Sequence, residues 1–303
     1  MTDLFDNLDA ISGADALSPE QRELLALLLA EQGVALPEER IPAAPRPEGR
    51  APLSFAQQRL WFLDLLEPGS PMYNIPAAVE LTGDLNVPAL RAALQAVVDR
   101  HEPLRTRFVR AGDEPAQEIL PHVELPLPTA DLSAMGLAAA EAEARRLAAE
   151  DAREPFDLSR APLLRARLLR LSEAKHALLF NMHHIVSDGW SVGVLIREVA
   201  ALYAAFLAHP DGSTADAAQA AGLPLLDTQY ADYAVWQRGY LQGETLRGQL
   251  DYWRSRLSGA PALLELPTDR PRPPVQSGRG DAAYFRLSRE VSAGLDRLAH
   301  AEG

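Results

Sequence analysis

A chain of 303 residues, 47% of them hydrophobic and 23% charged, has globular composition and is long enough for roughly two domains. A formal net charge of −13 argues against generic binding to nucleic acid or to an anionic membrane surface. The absence of cysteine removes disulfides, a thiolate nucleophile and any cysteine-based metal site; with no signal peptide or bilayer-length apolar stretch visible, the expected location is the cytoplasm.

The first fifty residues differ from the rest, with four basic against ten acidic side chains. Ser18-Pro19-Glu20-Gln21 has the form of a helix start: a serine cap, proline at the first helical position and Gln at the capping-box position. Leu24, Leu25, Leu27, Leu28 and Leu29 follow, and Gly33 is a natural stop. One short leucine-rich helix is expected, too small to fold alone. Residues 41–52, rich in Pro and Arg, read as a linker. The leader either docks its leucines on the main domain or serves as a docking element for a partner protein.

Order begins at Leu53. Ser54 can cap a helix through Leu65; Tyr73 to Leu81 reads as a strand, Asn86 to Arg100 as a capped helix, and Leu104 to Val109 as a strand. Gly112-Asp113 marks a turn back into a strand at 115–120. Residues 134–153 form an Ala/Glu/Arg-rich helix. Leu163–Leu171 and His176–Met182 look like an antiparallel pair, followed by a helix to about Leu207. Residues 212–222 read as a small-residue loop. Helices are expected near 228–238 and 244–257, extended chain at 267–274, a strand at 282–287 and a last helix capped by Ser288. Helices packed on a mostly antiparallel sheet make the fold class α+β.

The most informative stretch is Asn181-Met182-His183-His184-Ile185-Val186-Ser187-Asp188-Gly189-Trp190-Ser191. It places an imidazole at a strand–turn–helix junction, where a side chain is both rigid and reachable. A neutral imidazole can take a proton from an attacking hydroxyl, thiol or ammonium group. Asp188 either touches His184 or pairs with a buried arginine to fix the loop. Gly189 allows close backbone approach, and amides at the following helix start could stabilise a developing oxyanion. A metal site would need a third ligand, and none is evident nearby.

His183-His184-Ile185-Val186-Ser187-Asp188-Gly189 resembles the HHxxxDG motif of nonribosomal peptide synthetase condensation domains, within the chloramphenicol-acetyltransferase-like superfamily. Three further stretches are similar to family motifs, in the family's order: Ser54 to Leu63 (SFAQQRLWFL), Arg100 to Phe108 (RHEPLRTRF) and Tyr230 to Gln237 (YADYAVWQ). The resemblance covers about residues 50–303. It implies a first acyltransferase-like lobe at 51–222, and crossover helices with the beginning of a second lobe at 223–303. Residues 1–50 remain a leader. The family's remaining motifs would lie beyond Gly303, so the chain is expected to be an N-terminal portion that is inactive or weakly folded alone.

The activity implied is amide formation between a donor acyl or peptidyl thioester and the α-amine of an acceptor aminoacyl thioester. Both substrates ride on phosphopantetheine arms of carrier domains. The expected partners are the upstream donor and downstream acceptor carriers and an adenylation domain, with no cofactor of the chain's own and no metal. By the same resemblance His184 is the catalytic histidine, as base or by positioning the amine, and Gly189 lines the reaction centre. His183 shapes the loop, and Asp188 holds it by an ion pair with Arg105 or Arg59. Gln57, Arg59 and Trp61 are expected mainly to pack and form ion pairs. Tyr230, Tyr233 and Trp236 are expected to form a core stripe that buttresses the tunnel. The alternatives are a coenzyme A-dependent acyltransferase, an epimerisation domain, or a degenerate module that only recruits a partner. A heterocyclisation domain would carry aspartate where His183 stands.

Overall fold

The computed structural model describes residues 41–112, 114–271, 274 and 285–302. The leader helix expected after Ser18 lies outside them, as do residues 282–284 of the strand expected there; Phe285 to Leu287 belong to no strand. The chain divides into two compact units, residues 1–253 and 254–303.

In the first unit, nine-residue strands β6 (Leu164–Ser172) and β7 (Lys175–His183) are the centre of a four-stranded sheet. β2 (Asn74–Thr82) pairs antiparallel with β7, and the short β5 (Thr129–Asp131) pairs parallel with β6. A second, antiparallel sheet joins β1 (Arg50–Pro52), β4 (Glu114–Ile119) and β3 (Thr106–Ala111). Side chains alternate across a strand, and β6 and β7 use both faces. Leu164, Ala166 and Leu168 lie opposite Met182, Phe180 and Leu178, and this face packs against α2 (Val87–Arg100) and α4 (Gly189–Ala208). The other face, with Leu169, Leu171 and Leu179, covers Ala140 and Ala144 of α3 (Leu137–Arg153).

Several elements begin where local chemistry dictates. Ser54 starts α1 (Phe55–Leu66) through a reciprocal capping box with Gln57. The side chain of Asn86 accepts from the Ala89 amide at the start of α2. α3 starts three residues later than the composition suggests, because Gly136 takes φ +78° after a short 3-10 turn at Ser133–Met135. β3 also starts late: Glu102–Arg105, which contains Pro103, is a 3-10 turn, so Arg105 is not on the strand with Arg107. The expected loop at 212–222 contains helix α5 (Thr214–Ala220), capped by a Ser213/Asp216 box and anchored by buried Ala217. α6 (Tyr230–Tyr240) and α7 (Gly243–Arg256) follow. In the second unit, α8 (Arg289–Glu302) starts at Ser288, whose Oγ accepts from the Val291 amide at 3.2 Å.

α4 is long and apolar enough to cross a bilayer by length and composition, contrary to the sequence expectation. Here its buried stripe is Leu195, Glu198, Leu202, Ala205 and Phe206, most of which joins the main core.

The Pro/Arg stretch is not a free linker. The Ala44 amide donates to Asp232 Oδ1 at 2.8 Å, and Arg46 Nη2 lies 2.9 Å from Asp232 Oδ2 and 3.0 Å from Glu102 Oε2. Asp232, 2% exposed, also accepts from the Gln229 amide at 2.8 Å. A buried carboxylate with these partners is costly to delete, because its donors lose their acceptor together. Asp232→Ala is expected to lower unfolding free energy by about 3 kcal/mol in urea denaturation, and Arg46→Ala, which removes only the side-chain contact from residues 44–46, by about 1 kcal/mol; a solvated linker would leave stability unchanged in Arg46→Ala.

Candidate active site

β7 ends on adjacent histidines that leave opposite faces. His183 is 3% exposed, on the side of Tyr73 and Phe156, whose rings lie 6.4 and 6.2 Å away between centroids. Its Nδ1 accepts the Ile185 amide at 3.1 Å. Burial, and secondarily the neighbouring His184, lower its pKa from 6.5 to about 4. His183 is therefore neutral at pH 7, with Nδ1 bonded within the loop.

His184 is exposed. Its backbone amide donates to Tyr73 O at 2.8 Å, which carries the β2–β7 pairing one residue past the strand. Its Nδ1 lies 2.8 Å from the carbonyl oxygen of Ser187. A carbonyl only accepts, so Nδ1 carries the hydrogen, and Nε2 is the unprotonated nitrogen of the neutral ring. The loop thus selects the tautomer.

Asp188 departs from expectation. No arginine lies within ion-pair distance of its carboxylate among the described residues. It caps α4 instead: Oδ1 accepts from the Ser191 amide at 2.8 Å and from Ser191 Oγ at 2.6 Å. The Ser191 hydroxyl, then the Ser191 amide, hold its pKa below the usual carboxylate range, with smaller help from His184 and the Trp190 amide. Two amides expected as oxyanion donors are thus already directed at this carboxylate. The cause is local: a Ser three residues after an Asp satisfies it more readily than a distant arginine.

The two candidate arginines go elsewhere. Arg105 donates to the Leu120 carbonyl and lies 3.8 Å from Glu102. Arg59 is exposed on the cavity wall, without an ion pair among the described residues. Gly189 takes no left-handed φ, and a Cβ built there meets nothing within 4 Å. Packing within the chain does not demand glycine at this position.

His184, Asp188 and Arg59 line one cavity of about 570 Å³, within the range of small-ligand sites, together with Leu60, Tyr73, His101, Trp190 and Tyr230. Trp190 is 83% exposed at this wall. Gln57, 2% exposed, ties α1 to the loop by donating from Nε2 to Ile185 O at 3.3 Å. Tyr230 and Ser54 join through their hydroxyls at 3.0 Å. Tyr230, Tyr233, Trp236 and Tyr240 form a continuous aromatic row, half-buried to exposed, while the buried positions of α6 are Ala231, Asp232 and Ala234. The fourth motif is therefore a partly exposed aromatic row beside a buried carboxylate and not a core stripe, and of its aromatic residues Tyr230 reaches the cavity. Trp61 faces the Arg110 guanidinium at 5.4 Å.

Sequence reasoning missed His101 as a cavity residue. Its signal was indirect: Glu198 falls on the same helical face as Leu195 and Leu202, so a charge in the core needed a partner. Among the described residues, no three His, Cys, Asp or Glu side chains converge on a common metal position.

The family model described as "Condensation domain" matches residues 47–303. The chain belongs to the condensation-domain family. A linear gramicidin synthase protein of Brevibacillus parabrevis is 49% identical over 84% of this chain and 5% of its own length. Phosphinothricin tripeptide synthetase PhsC of Streptomyces viridochromogenes is 45% identical over 95% of this chain and 26% of its own. The chain thus spans at most about a quarter of these two relatives. Among solved structures, a complex of the X-domain and OxyB from teicoplanin biosynthesis contains a chain 32% identical, with a TM-score of 0.68 over 89% of this chain and 56% of that one. This condensation domain is of the nonribosomal peptide synthetase type, and its α+β fold is that of its structural neighbours.

The buried histidine supplies a test. Its pKa is depressed on folding, so the stability it allows is present above pH 6.5 and lost as pH falls toward 4. Urea-determined stability of this condensation domain is expected to fall over that window, with up to about 3 kcal/mol traceable to His183. His183→Asn, which keeps an acceptor for the Ile185 amide, flattens the fall.

Proposed function

We propose that this domain forms an amide bond between carrier-bound substrates. The acceptor α-amine attacks the carbonyl carbon of the donor thioester. The tetrahedral intermediate expels the thiol of the donor's phosphopantetheine arm, leaving the extended acyl chain on the acceptor. The partners of this reading are an upstream donor carrier, a downstream acceptor carrier and the adenylation domain that loads the latter. Phosphopantetheine enters as part of the substrates. Residues 51–222 act as the first lobe, and 223–303 as the crossover helices and the beginning of the second.

The single observation that carries the reading is the fixed tautomer of His184. With Nδ1–H held by Ser187 O, Nε2 is an acceptor for an amine N–H, and it takes the proton that the nitrogen sheds as the C–N bond forms. The same proton is available to the departing thiolate. A thioester is already activated, so holding the amine against its carbonyl supplies much of the acceleration. Gly189 keeps the start of α4 clear for the substrate, which explains a glycine that its own chain does not require. Asp188 contributes by fixing that helix start.

A second reading, partner recruitment without turnover, is favoured by the likeness to a chain of the X-domain–OxyB complex. Mass spectrometry of the intact protein with loaded donor and acceptor carriers separates the two. Amide formation predicts extended product on the acceptor carrier, reduced at least about 100-fold in His184→Ala. Undiminished product in that variant removes His184 from proton transfer. Carrier binding without product in the wild type supports recruitment. Gly189→Ala is expected to keep stability within about 0.5 kcal/mol and to slow product formation about tenfold through misplacement of the amine.

A further inference from the structure

Glu198 is a carboxylate in the buried stripe of an apolar helix, 8% exposed. A charge in that position needs partners. His101 Nε2 lies 2.7 Å from its Oε2, and Arg100 Nε lies 3.2 Å from the same oxygen. The two contacts differ in kind. Arg100 Nε approaches outside hydrogen-bond geometry, and its Nη2 donates to the Pro224 carbonyl. The directional bond therefore belongs to His101. Because a carboxylate only accepts, His101 Nε2 carries the hydrogen. Arg100 already supplies a positive charge to offset Glu198, so the imidazole does not have to be charged to fill that role.

His101 lines the same cavity as His184, with its side chain 23% exposed. Its Nδ1 has no protein partner among the described residues. In the neutral ring that nitrogen is a hydrogen-bond acceptor. The cavity thus holds two imidazoles with opposite tautomers: His184 bonded through Nδ1 with Nε2 free, and His101 bonded through Nε2 with Nδ1 free.

The geometry points to His101 as a second substrate-contacting residue, whose Nδ1 accepts an N–H of the acceptor amine, with Glu198 as the positioning residue that sets its tautomer. This rests on the amide-forming reading. A neutral primary amine brings two N–H bonds besides its lone pair. One proton leaves to His184 Nε2 as the C–N bond forms. The other remains on the amide nitrogen, directed at His101 Nδ1. The donor thioester offers no N–H at its reacting carbon, so discrimination by His101 falls on the acceptor.

Equilibrium binding to the intact protein tests this independently of turnover. The probes are alanyl-pantetheine amide and its propionyl counterpart, which lacks the amine. Wild type is expected to prefer the alanyl probe about tenfold, the size of one hydrogen bond. His101→Gln keeps a donor for Glu198 but not the acceptor at the Nδ1 position, and is expected to lose that preference. His101→Asn, which keeps a polar atom near Nδ1, recovers part of it, and Glu198→Leu weakens it by releasing the ring. In the carrier assay, His101→Gln raises KM for the acceptor carrier and leaves KM for the donor carrier unchanged. Equal affinity for both probes in wild type, or a preference retained in His101→Gln, overturns the proposal. No product from the wild type, with its probe preference present and lost in His101→Gln, would instead count against the amide-forming reading alone.

Discussion

Neighbouring residues of an extended strand point to opposite sides, and the arrangement at the end of β7 depends on that geometry. The side chain of His183 enters the apolar side shared with Tyr73 and Phe156, where desolvation keeps it neutral. His184 must then emerge on the side of α2 and α4, into the cavity. The strand cannot rotate to exchange them, because Leu178, Phe180 and Met182 are committed to the main core and Leu179 to the other. A one-residue slip of β7 would exchange the two imidazoles and move Leu178, Phe180 and Met182 out of the core they fill and Leu179 out of the other. The position of the His184 ring is thereby secured by the burial of the whole strand.

The helix that follows has three tasks. Its first turn receives Asp188 as a cap, its stripe of apolar residues completes the core, and Glu198, within that stripe, reaches back to the end of α2. α1 contributes from the far side: Gln57 closes its own capping box and also holds the Ile185 carbonyl, so one amide side chain couples a helix start to the histidine loop. The helix α6 adds an aromatic row beside a carboxylate that binds residues 44–46 to the body of the unit.

Much of this was legible in the sequence. Apolar runs marked β6 and β7 as an antiparallel pair, Ser54 and Asn86 announced their helices, and the histidine motif identified the strand–turn–helix junction. Three things escaped for physical reasons. Residues 41–52 contain proline and arginine, which read as a linker, but their order comes from a buried acid almost two hundred residues away. The helix at Thr214–Ala220 was hidden by small residues, although Ser213 and Asp216 have capping-box spacing. The partner of Asp188 was sought among arginines because a charge suggests an opposite charge, whereas a nearby hydroxyl and amide satisfied it at less entropic cost. His101 illustrates a further limit: periodicity shows that Glu198 is inside, but only the packing of α2 on α4 shows what meets it.

The bonds that shape the histidine loop have very short reach along the chain. His183 to Ile185 spans two residues, and His184 to Ser187 and Asp188 to Ser191 each span three. Closing such small rings sacrifices little chain entropy, so they can form as soon as the segment becomes compact. The lock from Gln57 to Ile185 spans 128 residues and must wait for α1 to arrive. On loop-entropy grounds the His184 ring is expected to acquire its side-chain orientation before its surroundings, with assembly of the cavity around the loop as the later step.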